Sequence, residues 1–204
     1  MLEFQIEFQP RIPPSKNLVI GTLGPNATSS DYASQYIANQ LLSEQITVST
    51  QLFDTFTEVR EALLQDKVDM ALVPHAYDRV NEFYMEPNFE LGFVFIFPTP
   101  VYGLAKKKNK EVAFKGSRIV THPAPLPLLT KLLPDAQDQT QIQVDLSPST
   151  SDSAIQVMQG LADFAITNEN AVKAYDLEFV STYGNIRMSW SIFQKKLELT
   201  ESYV

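Results

Sequence analysis

The chain has 204 residues, 44% hydrophobic and 20% charged, with Gly 7, Pro 13 and a net charge of −8. That is a globular composition, long enough for one large domain or two lobes around buried cores. Cys 0 excludes disulfides and thiolate sites, His 2 leaves any metal to carboxylates with no ligand cluster in view, and the acidic balance argues against a nucleic-acid partner.

The N-terminal stretch MLEFQIEFQPRIPPSK lacks the cationic start and unbroken apolar core of a secretory signal. The longest apolar stretch, around Phe89–Pro100, is short and is interrupted by Gly92, Pro98 and Pro100, so no membrane span is expected. These features predict a soluble, cytoplasmic protein.

Leu18–Leu23 is an apolar run that ends in Gly24-Pro25-Asn26, and Thr28–Leu42 then follows with Tyr32, Tyr36, Ile37, Gln40 and Leu41 on one helical face. Asn26, Thr28 and Ser29 can each cap that helix, and Asp31 suits its positive end. Ile46–Phe53 alternates as a strand, Phe56–Leu64 reads as a helix and Met70–Val73 as a buried strand. The same order returns in strands at Ser117–Thr121, Ile142–Leu146 and Asp163–Thr167, with a helix from the Pro148–Asp152 segment to about Gln159. Glu178–Phe193 reads as two strands turning at Tyr183-Gly184-Asn185. Strands alternating with helices predict α/β architecture: two lobes joined near Pro98–Tyr102 with a central cleft. The basic run Lys106–Lys110 reads either as an anion contact or as a solvated loop between strands.

Three polar loops open helices: Gly24–Ser30, Thr121–Pro127 and Pro148–Ser153. Helix N-termini bind carboxylates and phosphates through free amides, although the same serines and threonines can simply be caps. His75 and His122 each follow the carboxyl end of a strand, the usual edge for ligands in open α/β sheets, where they can act as acid, base or donor or sit as turn residues. Along Ile186–Phe193, Ile186, Met188, Trp190 and Ile192 fall on one face and Arg187, Ser189 and Ser191 on the other. The second face suits either a carboxylate held by Arg187 or contact with water.

GTLGPNATSSDYASQ resembles the GPxGTxS opening of prephenate dehydratase catalytic domains: Gly24, Pro25, Thr28 and Ser30 match, and Ala27 replaces the second glycine. THPAPL is similar to their SHPQAL segment, and STSDSA and FAITNENAVKAYDLEFV are similar to later segments in the same order. The resemblance spans about Leu18 to Phe193. It implies a periplasmic-binding-protein-like pair of lobes in a single catalytic domain, lobe 1 about 17–98 plus 178–204 and lobe 2 about 99–177, with no ACT domain. Where the dehydratases carry Thr-Arg-Phe, this chain has Ser189-Trp190-Ser191, and VPHAYDRVNEFYM replaces their ENS segment. Those departures resemble the prephenate decarboxylases of bacilysin- and aeruginosin-type antibiotic pathways, which leave the ring non-aromatic and use no cofactor.

What the resemblance implies is a carboxy-lyase for prephenate, with Gly24, Asn26, Thr28 and Ser30 in one binding loop and Ser149, Thr150 and Ser151 in another. Arg187 is added as a carboxylate clamp, and His75, Tyr77, His122 and Ser189 are the candidate catalytic groups. No metal is expected, and a homodimer is possible. Two other readings stay open: a dehydratase giving phenylpyruvate with Ser189 as acid, and a non-catalytic small-anion binding module.

Overall fold

The computed structural model describes residues 17–41, 47–133 and 141–196. The N-terminal stretch read above, Ile46 and residues 197–204 lie outside them. Two five-stranded mixed sheets form the frame. The first contains β1 (Asn17–Leu23), β2 (Thr47–Phe53), β3 (Met70–Pro74), β4 (Phe89–Pro98) and β10 (Arg187–Lys195), in the order β2-β1-β3-β10-β4. The second contains β5 (Tyr102–Lys107), β6 (Arg118–Thr121), β7 (Gln143–Leu146), β8 (Phe164–Asn168) and β9 (Leu177–Gly184), in the order β7-β6-β8-β5-β9. Each sheet has three parallel strands followed by an antiparallel pair.

Local chemistry accounts for the elements. β3 and β8 are buried along their whole length, as central strands covered on both faces must be. Helix α1 (Ser29–Leu41) packs on the first sheet through Ala33 and Ile37, against Leu18, Ile20, Leu72 and Trp190. Helix α2 (Phe56–Leu64) covers the other face through Val59 and Leu63, and a capping box between Thr55 and Glu58 starts it. A short α3 (Asn81–Tyr84) precedes β4, and a 3₁₀ turn at Leu126–Leu128 leads into α4 (Leu129–Leu132). Helices α5 (Thr150–Met158) and α6 (Glu169–Ala174) complete the second lobe, where α5 packs on Val120 and Ala165 through Ala154 and Val157. Among the described residues, no helix is long and apolar enough to cross a membrane.

The two-lobed α/β architecture is as expected, but the lobe boundary is not. β9 pairs with β5, so residues 178–184 belong to the second sheet and only β10 returns to the first. Tyr183-Gly184-Asn185 is therefore a crossover between lobes and not a hairpin turn. The two crossovers are tied together: the Thr99 amide donates to the Ile186 carbonyl at 2.9 Å, Ile186 N–H to Thr99 Oγ1 at 3.1 Å, and Asn185 Nδ2 to the Thr99 carbonyl at 2.8 Å. The basic run starts in β5 and ends in a turn, where Lys106 pairs with Glu178 and Lys108 with Asp176. The solvated reading fits it.

Candidate active site

The parallel strands of both sheets bring their carboxyl ends, and the antiparallel β5 and β10 their amino ends, to one cleft, which holds a cavity of about 530 Å³. That volume is in the range that encloses a small organic ligand. Two helices point their N-termini into it, and their starts carry nearly the same quartet: Thr28-Ser29-Ser30-Asp31 and Ser149-Thr150-Ser151-Asp152. In each, the first hydroxyl caps the helix. Thr28 Oγ1 accepts from the Asp31 amide at 3.1 Å, and Ser149 Oγ accepts from the Asp152 amide at 3.0 Å. In each, a glutamine one turn on donates to the aspartate, Gln35 to Asp31 and Gln156 to Asp152. The caps use the third amides, so the amides of Ser29 and Ser30, and of Thr150 and Ser151, are left without acceptors inside their helices. These orphan donors and the positive helix ends can hold an anion without a side-chain cation.

Tyr102 joins the two helix starts. Its buried phenol shares a hydrogen bond with Ser29 at 2.9 Å and also reaches the Thr150 hydroxyl. Burial pushes this phenol above the usual tyrosine range, and both hydroxyls oppose that shift. Behind it, Asn168 donates to the Ala27 carbonyl at 3.0 Å, a second tie from lobe to lobe, and its other amide atom caps α6.

The floor is apolar. Ile186, Met188 and Trp190 line it, and Trp190 is fully buried, with its indole N–H given to the Phe97 carbonyl at 3.1 Å. At the side, Tyr77 packs on Phe56 with ring centroids 4.5 Å apart. Burial raises the Tyr77 pKa, and the Arg79 guanidinium partly offsets it. Arg79, which also lines the cavity, is forked to Glu82 at 2.7 and 3.0 Å. On the other lobe, His122 lines the cavity with Nδ1 accepting the Ala124 amide at 3.1 Å, an arrangement that leaves the proton on Nε2. Burial holds this imidazole below the ordinary histidine range, with the Asp78 carboxylate pulling weakly the other way.

The expected site residues divide clearly. Thr28, Ser30, Ser149, Thr150, Tyr77 and His122 line the cavity. Gly24 does not: it lets the loop approach β2, where its amide donates to Phe53 at 2.7 Å and an added Cβ would meet Leu52 at 3.1 Å. Asn26 faces a separate polar hollow with Asp31 and Gln35, and Ser151 is buried outside the cavity. Arg187 is exposed, on the face of β10 away from the floor. His75 and Ser189 meet at 2.8 Å on that same face. The polar face of β10, chosen for chemistry by its residue types, is thus turned from the cleft. Sequence reasoning missed Arg79, Tyr102 and the flooring role of Trp190. Arg79 was within reach of it, as the cation of the VPHAYDR segment already singled out. Among the described residues, no group of three or more metal-ligating side chains occurs.

No family model matches the chain. It is 60% identical over 196 residues to a prephenate decarboxylase of Planktothrix agardhii (strain NIVA-CYA 126/8), covering 96% of this chain and 97% of the relative. It is 40% identical over 185 residues to a prephenate decarboxylase of Bacillus amyloliquefaciens, covering 89% of this chain and 88% of the relative. Among solved structures, a prephenate dehydratase from Arthrobacter aurescens in complex with L-Phe superposes with TM-score 0.64 at 14% identity, over 91% of this chain and 62% of that one. A periplasmic substrate-binding protein of an ABC transporter from Coxiella burnetii superposes with TM-score 0.57 at 16% identity, over 87% of this chain and 84% of that one. Both share the two-lobed fold.

Proposed function

The chain belongs to the prephenate decarboxylase family, and from that premise we propose that it holds prephenate in this cleft and removes the ring carboxylate as CO2 without aromatising the ring. One observation carries the reading: the cleft sets an apolar floor of Ile186, Met188 and Trp190 beneath two helix N-termini. A carboxylate placed over an apolar floor loses the hydration that stabilises its charge, while a carboxylate at a helix N-terminus is retained. Prephenate has one carboxylate to lose and one, on the pyruvyl arm, to keep. The orphan amides of Ser29 and Ser30, or that of Thr150 at the other helix start, take the pyruvyl carboxylate, and the ring carboxylate lies toward Trp190.

When the bond from ring carbon to carboxylate breaks, its electron pair enters the cyclohexadiene, which serves as its own electron sink without a cofactor. A proton must then reach a ring carbon. Tyr77 supplies it, since a phenol pushed above its ordinary range stays protonated at neutral pH. Arg79 favours the phenolate left behind, which regains its proton from water, and the guanidinium can also meet a carboxylate at the cleft side. His122, neutral with its proton on Nε2, donates a hydrogen bond to the ring hydroxyl or the keto oxygen without expelling hydroxide. The product is a dihydro-4-hydroxyphenylpyruvate, which fits cytoplasmic biosynthesis of an antibiotic or related non-ribosomal peptide.

The test is Tyr77→Phe in deuterated water. The wild type incorporates one deuterium at a ring carbon per CO2 released. The variant loses about 10²–10⁴ in kcat, the worth of one positioned acid, with KM within a few-fold. An unchanged kcat removes Tyr77 from the reaction.

A further inference from the structure

His75 lies outside the cavity, yet it joins two of the segments that build it. Its Nδ1 shares a hydrogen bond with Ser189 Oγ at 2.8 Å, and its Nε2 with Ser191 Oγ at 2.5 Å. Its amide donates to the Ser189 carbonyl at 3.0 Å. Ser189 and Ser191 flank Trp190, whose indole is on the opposite face of β10, in the cleft floor. Two residues beyond His75 stands Tyr77, held by a turn in which its amide donates to the Pro74 carbonyl at 3.0 Å. One imidazole therefore links the strand that carries the floor to the turn that carries the proton donor. Tyr84, from α3, closes the cluster: its hydroxyl bonds Ser191 Oγ at 2.9 Å and its ring meets Phe193 edge-on at 4.8 Å.

A neutral imidazole has one donor and one acceptor, and serine hydroxyls can match either, so both ring nitrogens are satisfied within the protein. Neither is left to reach a ligand. We infer that His75 is a positioning residue for the reaction, fixing the spacing between Tyr77 and the Trp190 floor through the two serines on the back of β10. The inference rests on the reading of Tyr77 as proton donor. Small displacements of a reacting group are costly, about 10²-fold for 1 Å.

The experiment is a double-mutant cycle between His75→Ala and Tyr77→Phe, assayed on prephenate. His75→Ala alone lowers kcat by about ten- to a hundredfold with KM little changed. In the Tyr77→Phe background it costs less than about threefold more, because the group it positions is gone. His75→Gln, whose amide again offers a donor and an acceptor, restores part of the rate. The chain has Trp 1 only, so fluorescence reports the floor directly, and the emission of folded His75→Ala shifts from that of the wild type. If His75→Ala does not fold, Ser189→Ala with Ser191→Ala removes the same bonds from the other side and gives the same pattern. Equal losses in both backgrounds, or an unchanged kcat in His75→Ala, overturn the inference and leave the Tyr77 reading intact. An unchanged kcat in Tyr77→Phe alone removes both.

Discussion

Arg79 and Arg187 sit at different places in the molecule. Arg187 follows the alternation of β10 to its exposed side, while Arg79 reaches the cavity from the turn after β3. Arg79→Gln is expected to raise KM for prephenate about tenfold, the loss of a charge-assisted contact, and Arg187→Gln to leave the kinetics unchanged; steady-state measurements on both decide it. The reverse pattern would return the clamp to Arg187. His122 makes a pH prediction. Its folded pKa lies below the ordinary value of 6.5 because burial disfavours the cation. Above 6.5 both the folded and unfolded forms are neutral and its contribution to stability is whole. As pH falls from there through the folded value, the unfolded chain takes up the proton first and stability is lost. His122→Gln should flatten the fall in melting temperature between about pH 7 and 5, and an equally steep fall in the variant would assign that acid sensitivity to other groups. Arg79 lies in the VPHAYDR segment that the sequence already marks, but Arg187, beside hydroxyls on a clean polar face, is the cation the sequence favours. Alternation reports which residues share a face, but not which face meets the cleft. Here the apolar face is both core and floor.

At the scale of elements, the loop before α1 carries a visible trade. Ala27 has φ 70, a left-handed conformation that favours glycine, at the position where the dehydratase pattern has one. Its amide donates to Asp31 Oδ2 at 2.8 Å and its carbonyl accepts from Asn168, so the loop conformation is held from both sides. Ala27→Gly should leave stability unchanged or raise it by up to about 1 kcal/mol, read by thermal unfolding, and a clear loss would mean the methyl group packs favourably against the second lobe. Most elements were legible to within a residue or two. β3 shows as an unbroken apolar run, α2 opens on Thr55 with Glu58 three residues later, and α5 opens on Ser149. β9 and β10 were legible as strands but not as members of different sheets. Their partners, β5 on one side and β3 and β4 on the other, lie far off in the chain, and a Gly184-Asn185 step reads locally as a hairpin turn.

The whole molecule is two similar sheets, the second (β5 to β9) inserted between β4 and β10 of the first, so the cleft is crossed twice and the crossovers are hydrogen-bonded to each other at Thr99, Asn185 and Ile186. Tyr102 and Asn168 add ties above the crossovers, which makes the relative placement of the two helix N-termini part of the folded state. Tyr102→Phe leaves the buried Ser29 hydroxyl without its partner and should cost about 1–3 kcal/mol in unfolding free energy, with weaker prephenate binding, since the two anion sites lose their common anchor. Full stability in the variant would place the anchor at Asn168. The central claim is that this cleft breaks a carbon–carbon bond of prephenate and spares the ring hydroxyl. It is tested by turning over prephenate labelled with ¹⁸O at the ring hydroxyl and weighing the products. One CO2 is lost per substrate, and the expected product is a non-aromatic keto acid that keeps the label. Phenylpyruvate with the label released to water would contradict it.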